Sequence, residues 1–248
     1  MSAACGNIWS VVKRELAGTV SSPVAYVFVV IFLLLSAFFT FMVGGFFERG
    51  QASLVSFFSW HPWLYLFLVP AVGMRMWAEE RKSGTIELLL TLPLTTWQAV
   101  LGKFFAYLVI IAAALALTFP VWLTANYLGA PDNGVIVAGY VGSLLMGACY
   151  LAVTSFTSSL TRNQVVSFII AVVICLFLIL CGWPPVLNLL GRVASPGLVE
   201  TVAAFSVMTH FDGVQRGVLD GRDLVFFASV IIFFLFATHA VLRVRRAG

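Results

Sequence analysis

Six stretches of the chain contain no Asp, Glu, Lys or Arg: residues 16–47, 50–74, 104–131, 133–161, 163–191 and 224–242. Each holds close to or more than the ~20 apolar residues a helix needs to cross ~30 Å of hydrocarbon. The run from Val24 to Phe47 shows none of the two-residue alternation of a barrel strand. Apolar residues make up 61% of the 248 and charged residues 10%, where a soluble domain carries about 25% charged. A soluble core of this length could not hide so much apolar surface, and a disordered chain would be poor in these residues. The sequence therefore predicts an all-α integral membrane protein with six spanning helices. The first run is too long for a signal peptide's apolar region, and Phe46, Phe47, Glu48 and Arg49 follow it.

Basic residues orient the spans. With the N-terminus in the cytoplasm, Lys13, Arg14, Arg75, Arg81, Lys82, Lys103, Arg162, Arg243, Arg245 and Arg246 lie inside. Arg49, Arg192, Arg216 and Arg222 lie outside. Ten of fourteen basic residues inside predicts a multi-pass protein of the bacterial inner membrane with both termini cytoplasmic.

The chain divides at Ser22-Pro23, which suits an N-cap and first helical turn. Residues 1–22 read as an amphipathic helix on the inner membrane surface, with Ile8, Trp9, Val12, Leu16 and Val20 on its apolar face. Trp9, Lys13 and Arg14 are its candidate interfacial residues. Residues 23–248 form the six-span domain. Pro70 should kink span two, near 56–77, and Pro120 should disturb span three, near 96–128. In span four, near 135–160, Gly139, Ser143 and Gly147 recur every four residues, a spacing that lets helices approach closely. That stripe reads as packing within the bundle, with a dimer seam as the alternative. Span five is expected over 164–183 and span six over 223–242.

Two connections are long. The cytoplasmic one runs Glu79-Glu80-Arg81-Lys82-Ser83-Gly84-Thr85-Ile86-Glu87-Leu88-Leu89-Leu90-Thr91-Leu92-Pro93. Ser83, Gly84 and Thr85 break the helix of span two and start another, Glu87 suits its first turn, and Pro93 stops it. Thr95 with Gln98 fits a capping box opening span three. So apolar a short helix must be covered by membrane or by a partner. The external connection, 184–222, contains an Asp212–Arg216 pair at i,i+4 spacing.

Catalytic and metal chemistry find little support. No acid lies inside a predicted span, neither G-x-S-x-G nor H-E-x-x-H occurs, and Leu101-Gly102-Lys103 lacks the upstream Gly and following hydroxyl of a nucleotide-binding loop. Cys149, Cys175 and Cys181 read as small packing residues. His61 reads as an interfacial histidine, and a metal site of His61, His210 and Asp212 lacks an evident further ligand. The sequence predicts no catalytic residue, no metal and no nucleic-acid partner.

The stretch from Glu79 to Pro93, followed by Gly102-Lys103, resembles the signature of ABC-2-type transporter permeases. It is most similar to the subgroup named for a gliding-motility permease (GldF), which also resembles the NosY copper-maturation permease. The segments Glu15-Leu16 through Ser22-Pro23-Val24-Ala25-Tyr26-Val27, and His210-Phe211-Asp212-Gly213-Val214-Gln215-Arg216-Gly217-Val218-Leu219-Asp220, agree in order. The resemblance implies a type V exporter-like fold with a coupling helix near 84–92, docked in a groove of a separate ATPase through Thr85, Ile86, Glu87, Leu88, Leu89 and Leu90. It implies two copies of this chain as a homodimer, two ATPase copies that bind the ATP and Mg, and in some systems an auxiliary membrane subunit with a large external domain. It also implies a re-entrant external segment with an outer gate, here His210, Phe211, Asp212 and Arg216.

Two functions follow as expectations. One is the permease subunit of an ATP-driven exporter. The other is a non-transporting scaffold in the bilayer that transmits ATPase work to an external partner complex. Substrate flux separates them. The substrate itself is not legible in the chain.

Overall fold

A computed structural model describes residues 2–48, 53–85, 95–218 and 220–246. Every regular element among them is helical. Helix α1 (Ser2–Val20) precedes α2 (Pro23–Phe38), whose N-cap Ser22 accepts from the Val24 amide at 3.4 Å, with Pro23 in the first turn as the dipeptide predicts. Helix α2 buries one stripe, Ala25, Phe28, Phe32 and Ser36, and exposes Val27, Val30, Ile31 and Leu34. An apolar face that no described residue covers is what a helix against lipid presents. It runs into a π-helical turn, Phe39–Val43.

Span two is built from α3 (Val55–Phe58), α4 (His61–Gly73) and α5 (Arg75–Ser83). Pro70 does interrupt it, but the break falls at Met74, one turn further on. There Gly73 lies against α8, where a Cβ would sit 2.7 Å from Thr154 Cγ2. Span three comprises α6 (Thr96–Ala116) and α7 (Phe119–Leu128), with Pro120 in the first turn of α7. The capping box forms: Thr95 N–H donates to Gln98 Oε1 at 2.9 Å, and Gln98 N–H to Thr95 Oγ1 at 3.3 Å.

Helix α8 (Asn133–Leu160) is the hub, packing against α4, α5, α6, α9 (Gln164–Leu180), α12 (Val207–Gln215) and α13 (Gly221–Arg246). Its small residues let this happen. A Cβ on Gly139 would strike the Phe58 ring, and one on Gly147 would sit 3.1 Å from Ile111 Cγ2. The stripe is internal packing, as expected, and Ser143 between them is fully buried.

Five elements are long and apolar enough to cross a membrane: Pro23–Val43, Val55–Ser83, Thr96–Leu128, Asn133–Leu160 and Gly221–Val244. The expected fifth span, 164–183, differs. Helix α9 has 17 residues, about 26 Å at 1.5 Å per residue, short of ~30 Å of hydrocarbon. It bends by 69° into α10 (Pro184–Leu190). Gly182 allows the turn, because Ser206 and Thr209 occupy the space a side chain would need. Helix α11 (Pro196–Ala204) follows, and neither α10 nor α11 buries a residue.

Candidate functional site

At the end of the bundle where α5 stops and α6 starts, Lys103 enters an otherwise apolar helix. Its side chain is 3% exposed, and its Nζ lies 2.9 Å from Glu80 Oε1 and 3.0 Å from Glu15 Oε2. Arg14 adds a second cation, 2.9 Å from Glu15 Oε1 and 4.0 Å from Glu80 Oε1. Two cations and two carboxylates thus join α1, α5 and α6. Burial alone would push the Glu15 carboxyl up, but Lys103 and Arg14 together hold it below its ordinary value. The Lys103 ammonium also sits 5.1 Å from the Trp77 ring centre.

Close packing lets the charges meet. Gly102 gives α1 room to lie on α6, since a Cβ there would fall 2.6 Å from Val11 Cγ1. Val11 and Val12 of α1 are buried, and Ile8 and Leu16 pack on the core. The expected apolar face is therefore split. Trp9 and Val20 stay exposed, with Lys13 over the Trp9 ring at 5.6 Å, while the neighbouring face docks on protein. Arg14, expected at the membrane interface, serves the ion cluster instead.

The other side of α5 is fixed to α8. Ser158 Oγ accepts from the Trp77 and Ala78 amides, both at 3.0 Å, and donates to the Met74 carbonyl at 2.8 Å. One hydroxyl from a neighbouring helix thereby caps the first turn of α5 at the break in span two. Trp77 Nε1 donates to Ser155 Oγ at 3.1 Å, and Arg81 Nη1 to the Ser159 carbonyl at 2.6 Å. Sequence reasoning did not assemble this site. Its signal was Lys103 itself, a cation about two turns inside an apolar helix, with Glu15 the sole acid of α1.

Helix α5 ends at Gly84, whose φ of 75° only glycine adopts freely. Thr85 is exposed, its hydroxyl 2.9 Å from Ser83 Oγ. Ile86, Glu87, Leu88, Leu89 and Leu90 lie outside the described residues. What the structure does place is both flanks of the segment, α5 and α6, each with a formed cap.

At the opposite end, His210 is set between Asp223 Oδ1 at 2.6 Å and the Ala204 carbonyl at 3.1 Å, with its ring stacked on Phe226. Phe211 is fully buried against α8 near Gly142. The expected Asp212–Arg216 ion pair is absent: Asp212 accepts from Gln215 Nε2 at 2.7 Å, and Arg216 is exposed. Burial pushes the Asp212 carboxyl up, with the more distant Arg216 offsetting part of the effect. His61 is not interfacial. It is fully buried, facing the Phe57 carbonyl at 3.1 Å and packed by Phe32, Phe57, Phe58 and Tyr65. Among the described residues no group of three or more His, Cys, Asp or Glu is placed to hold a metal.

Residues 64–190, running from α4 to the end of α10 and so across the ion cluster's α5 and α6, match the profile of the ABC-2 family transporter proteins. The chain belongs to this family. It is also 29% identical over 165 residues to the probable ABC transporter permease protein NosY of Pseudomonas aeruginosa, covering 61% of this chain and 59% of that protein. The chain thus matches about three fifths of that relative's length. As an ABC-2 family protein with five to six membrane-length apolar helices, it is a multi-pass membrane protein.

Proposed function

We propose that this ABC-2 subunit converts ATP hydrolysis by a separate ATPase into export or extraction of a substrate. Segment 85–90 serves as the docking element. The observation that carries the reading is the ion cluster on the two helices that flank that segment in sequence: Glu80 and Lys103 meet each other and Glu15. A push on the segment then moves α5, α6 and α1 together. From there Ser158 and Ser155 couple α5 into α8. Apolar knobs on a short helix suit a groove, and Glu87 suits a basic rim. Two copies of the chain with two ATPases, both termini cytoplasmic, complete the pathway in this reading. At the outer end, His210, Phe211, Asp212 and Arg216 on α12 act as the gate, supported by the packing of α12 on α8.

The test is Leu89→Asp. A charge in an apolar groove costs several kcal/mol, on the order of 3–5, enough to release the ATPase during purification. The variant should still insert normally. Co-purification and ATP turnover are measured together, and wild-type retention of the ATPase would place docking elsewhere.

A further inference from the structure

Beside the ion cluster, α1, α5 and the start of α2 enclose a cavity of about 260 Å³. Its wall combines the apolar Val24 and Val72 with the charged Arg14, Glu15, Arg75, Glu79, Glu80 and Lys103. Two polar atoms in this wall are shielded from solvent yet have no hydrogen-bond partner among the described residues: Arg75 Nε and Glu80 Oε2. The guanidinium of Arg75 makes no ion pair with any described residue either. Glu80 has its other oxygen on Lys103. Buried polar groups rarely go unpaired, and an unpaired cation and an unpaired carboxylate oxygen in the wall of one cavity ask for a ligand carrying both complements.

We propose that the cavity binds a phosphate group with a neighbouring primary ammonium, the chemistry of an aminophospholipid head group. The phosphate meets Arg75, whose planar fork matches phosphate oxygens. The ammonium donates to Glu80 Oε2, and the acyl chains leave past Val24 and Val72 into the bilayer. A choline head group has no N–H to give Glu80, so it binds more weakly. The site sits at the level where α2 and span two meet the head groups, on the reading that this end of the bundle faces the inner leaflet. A bound lipid here would wedge between α1 and α5, the two elements that carry Glu15 and Glu80.

The test uses the detergent-purified chain with its ATPase, delipidated and titrated with phosphatidylethanolamine or phosphatidylcholine under native mass spectrometry. Phosphatidylethanolamine should be retained and phosphatidylcholine lost about tenfold more readily, the worth of one charge-assisted hydrogen bond. Arg75→Gln should reduce retention about tenfold on the same grounds, and Arg75→Lys less. Gly18→Leu provides a variant that keeps the fold: Gly18 lines the cavity, a Cβ there meets nothing within 4 Å, and helix propensity rises. Its side chain should fill the cavity and expel the lipid, whereas Arg162→Gln, at an exposed arginine, should change nothing. Soluble glycerophosphoethanolamine, which has the same head group and no tails, should compete poorly. Equal competition would assign the site to a soluble phosphate and overturn the lipid. Wild-type retention by both Arg75→Gln and Gly18→Leu would overturn the site itself. ATPase retention, read in the same spectra, separates the two readings: loss of the ATPase from Leu89→Asp with lipid unaffected leaves both standing, and lipid binding without any ATPase dependence on Leu89 leaves this one alone.

Discussion

Replacing Lys103 by Met keeps the length and apolar stem of the side chain and removes its charge. Glu15 and Glu80 then share a site with only Arg14 opposite, at 2.9 and 4.0 Å. Removing one partner of a buried ion pair costs about 3–5 kcal/mol, because the remaining charge is left uncompensated. Side-chain exposures of 14% for Glu15 and 20% for Glu80 let water relieve part of this, so the lower bound, about 3 kcal/mol, is expected. The cost falls on the docking of α1, which packs on α6 around Gly102 and is tied to it by these charges. At 1.4 kcal/mol per decade, α1 amides should exchange with solvent about a hundredfold faster. Hydrogen exchange of the purified protein, followed on α1 peptides against α8 peptides, measures this directly. Adding Glu15→Gln and Glu80→Gln to Lys103→Met removes the stranded charges and should recover most of the loss, a non-additivity that simple loss of packing cannot produce. If α1 exchange in Lys103→Met stays within threefold of wild type, the cluster does not hold α1 and the mechanical reading loses its basis.

The same protection should depend on acid. Glu15 is held below its ordinary value near 4.5, so its contribution is complete above the unfolded value and disappears as pH falls through the folded one. Exchange of α1, corrected for its intrinsic pH dependence, should be flat from neutral pH to about 5 and rise below the usual carboxylate range. Gly102→Ala should displace α1, because its Cβ meets Val11 at 2.6 and 2.7 Å. Overpacking of about 1–3 kcal/mol outweighs the ~1 kcal/mol gained in helix propensity, and an unchanged α1 exchange rate would contradict the contact. Ser158→Ala should lower stability by about 1–3 kcal/mol by leaving two amides of α5 and the Met74 carbonyl unpaired. A melting temperature equal to wild type would mean that first turn is satisfied by other means.

What the chain discloses on reading and what it withholds divide by sequence distance. The Ser22-Pro23 cap, the Thr95–Gln98 box and the Gly84 stop depend on neighbours within three residues, and all three form. Runs without charge disclose the spans, since a membrane punishes charge wherever it falls. The ion cluster was withheld because its partners lie far apart in the chain: Glu15 and Lys103 are 88 residues apart. Pro70 predicted a kink but not its place, which Ser158 and Thr154 set from another helix. The bend after α9 turns on Gly182, which reads as an ordinary loop glycine until Ser206 and Thr209 are seen against it. The docking role proposed for 85–90 rests on resemblance, and residues 86–90 are outside the described region.

The two ends of the bundle differ in how they are held, and that difference bears on where force can travel. Apolar side chains gain little by leaving hydrocarbon for one another, so helices in a membrane are fixed by close approach and polar bonds. At the Lys103 end both devices coincide: Gly102 and Gly73 bring backbones together, and Ser158, Ser155, Glu15 and Glu80 bond across the contacts. Displacing α5 there means breaking several bonds at once, so it moves with its neighbours. At the Trp183 end, α10 and α11 bury nothing, while α12 buries Val207, Phe211, Val214 and Gln215 against α8 and its neighbours and pairs His210 with Asp223. On the proposed reading, work delivered at the first end passes along α8, which packs on both α5 and α12, and so reaches the residues proposed as the gate.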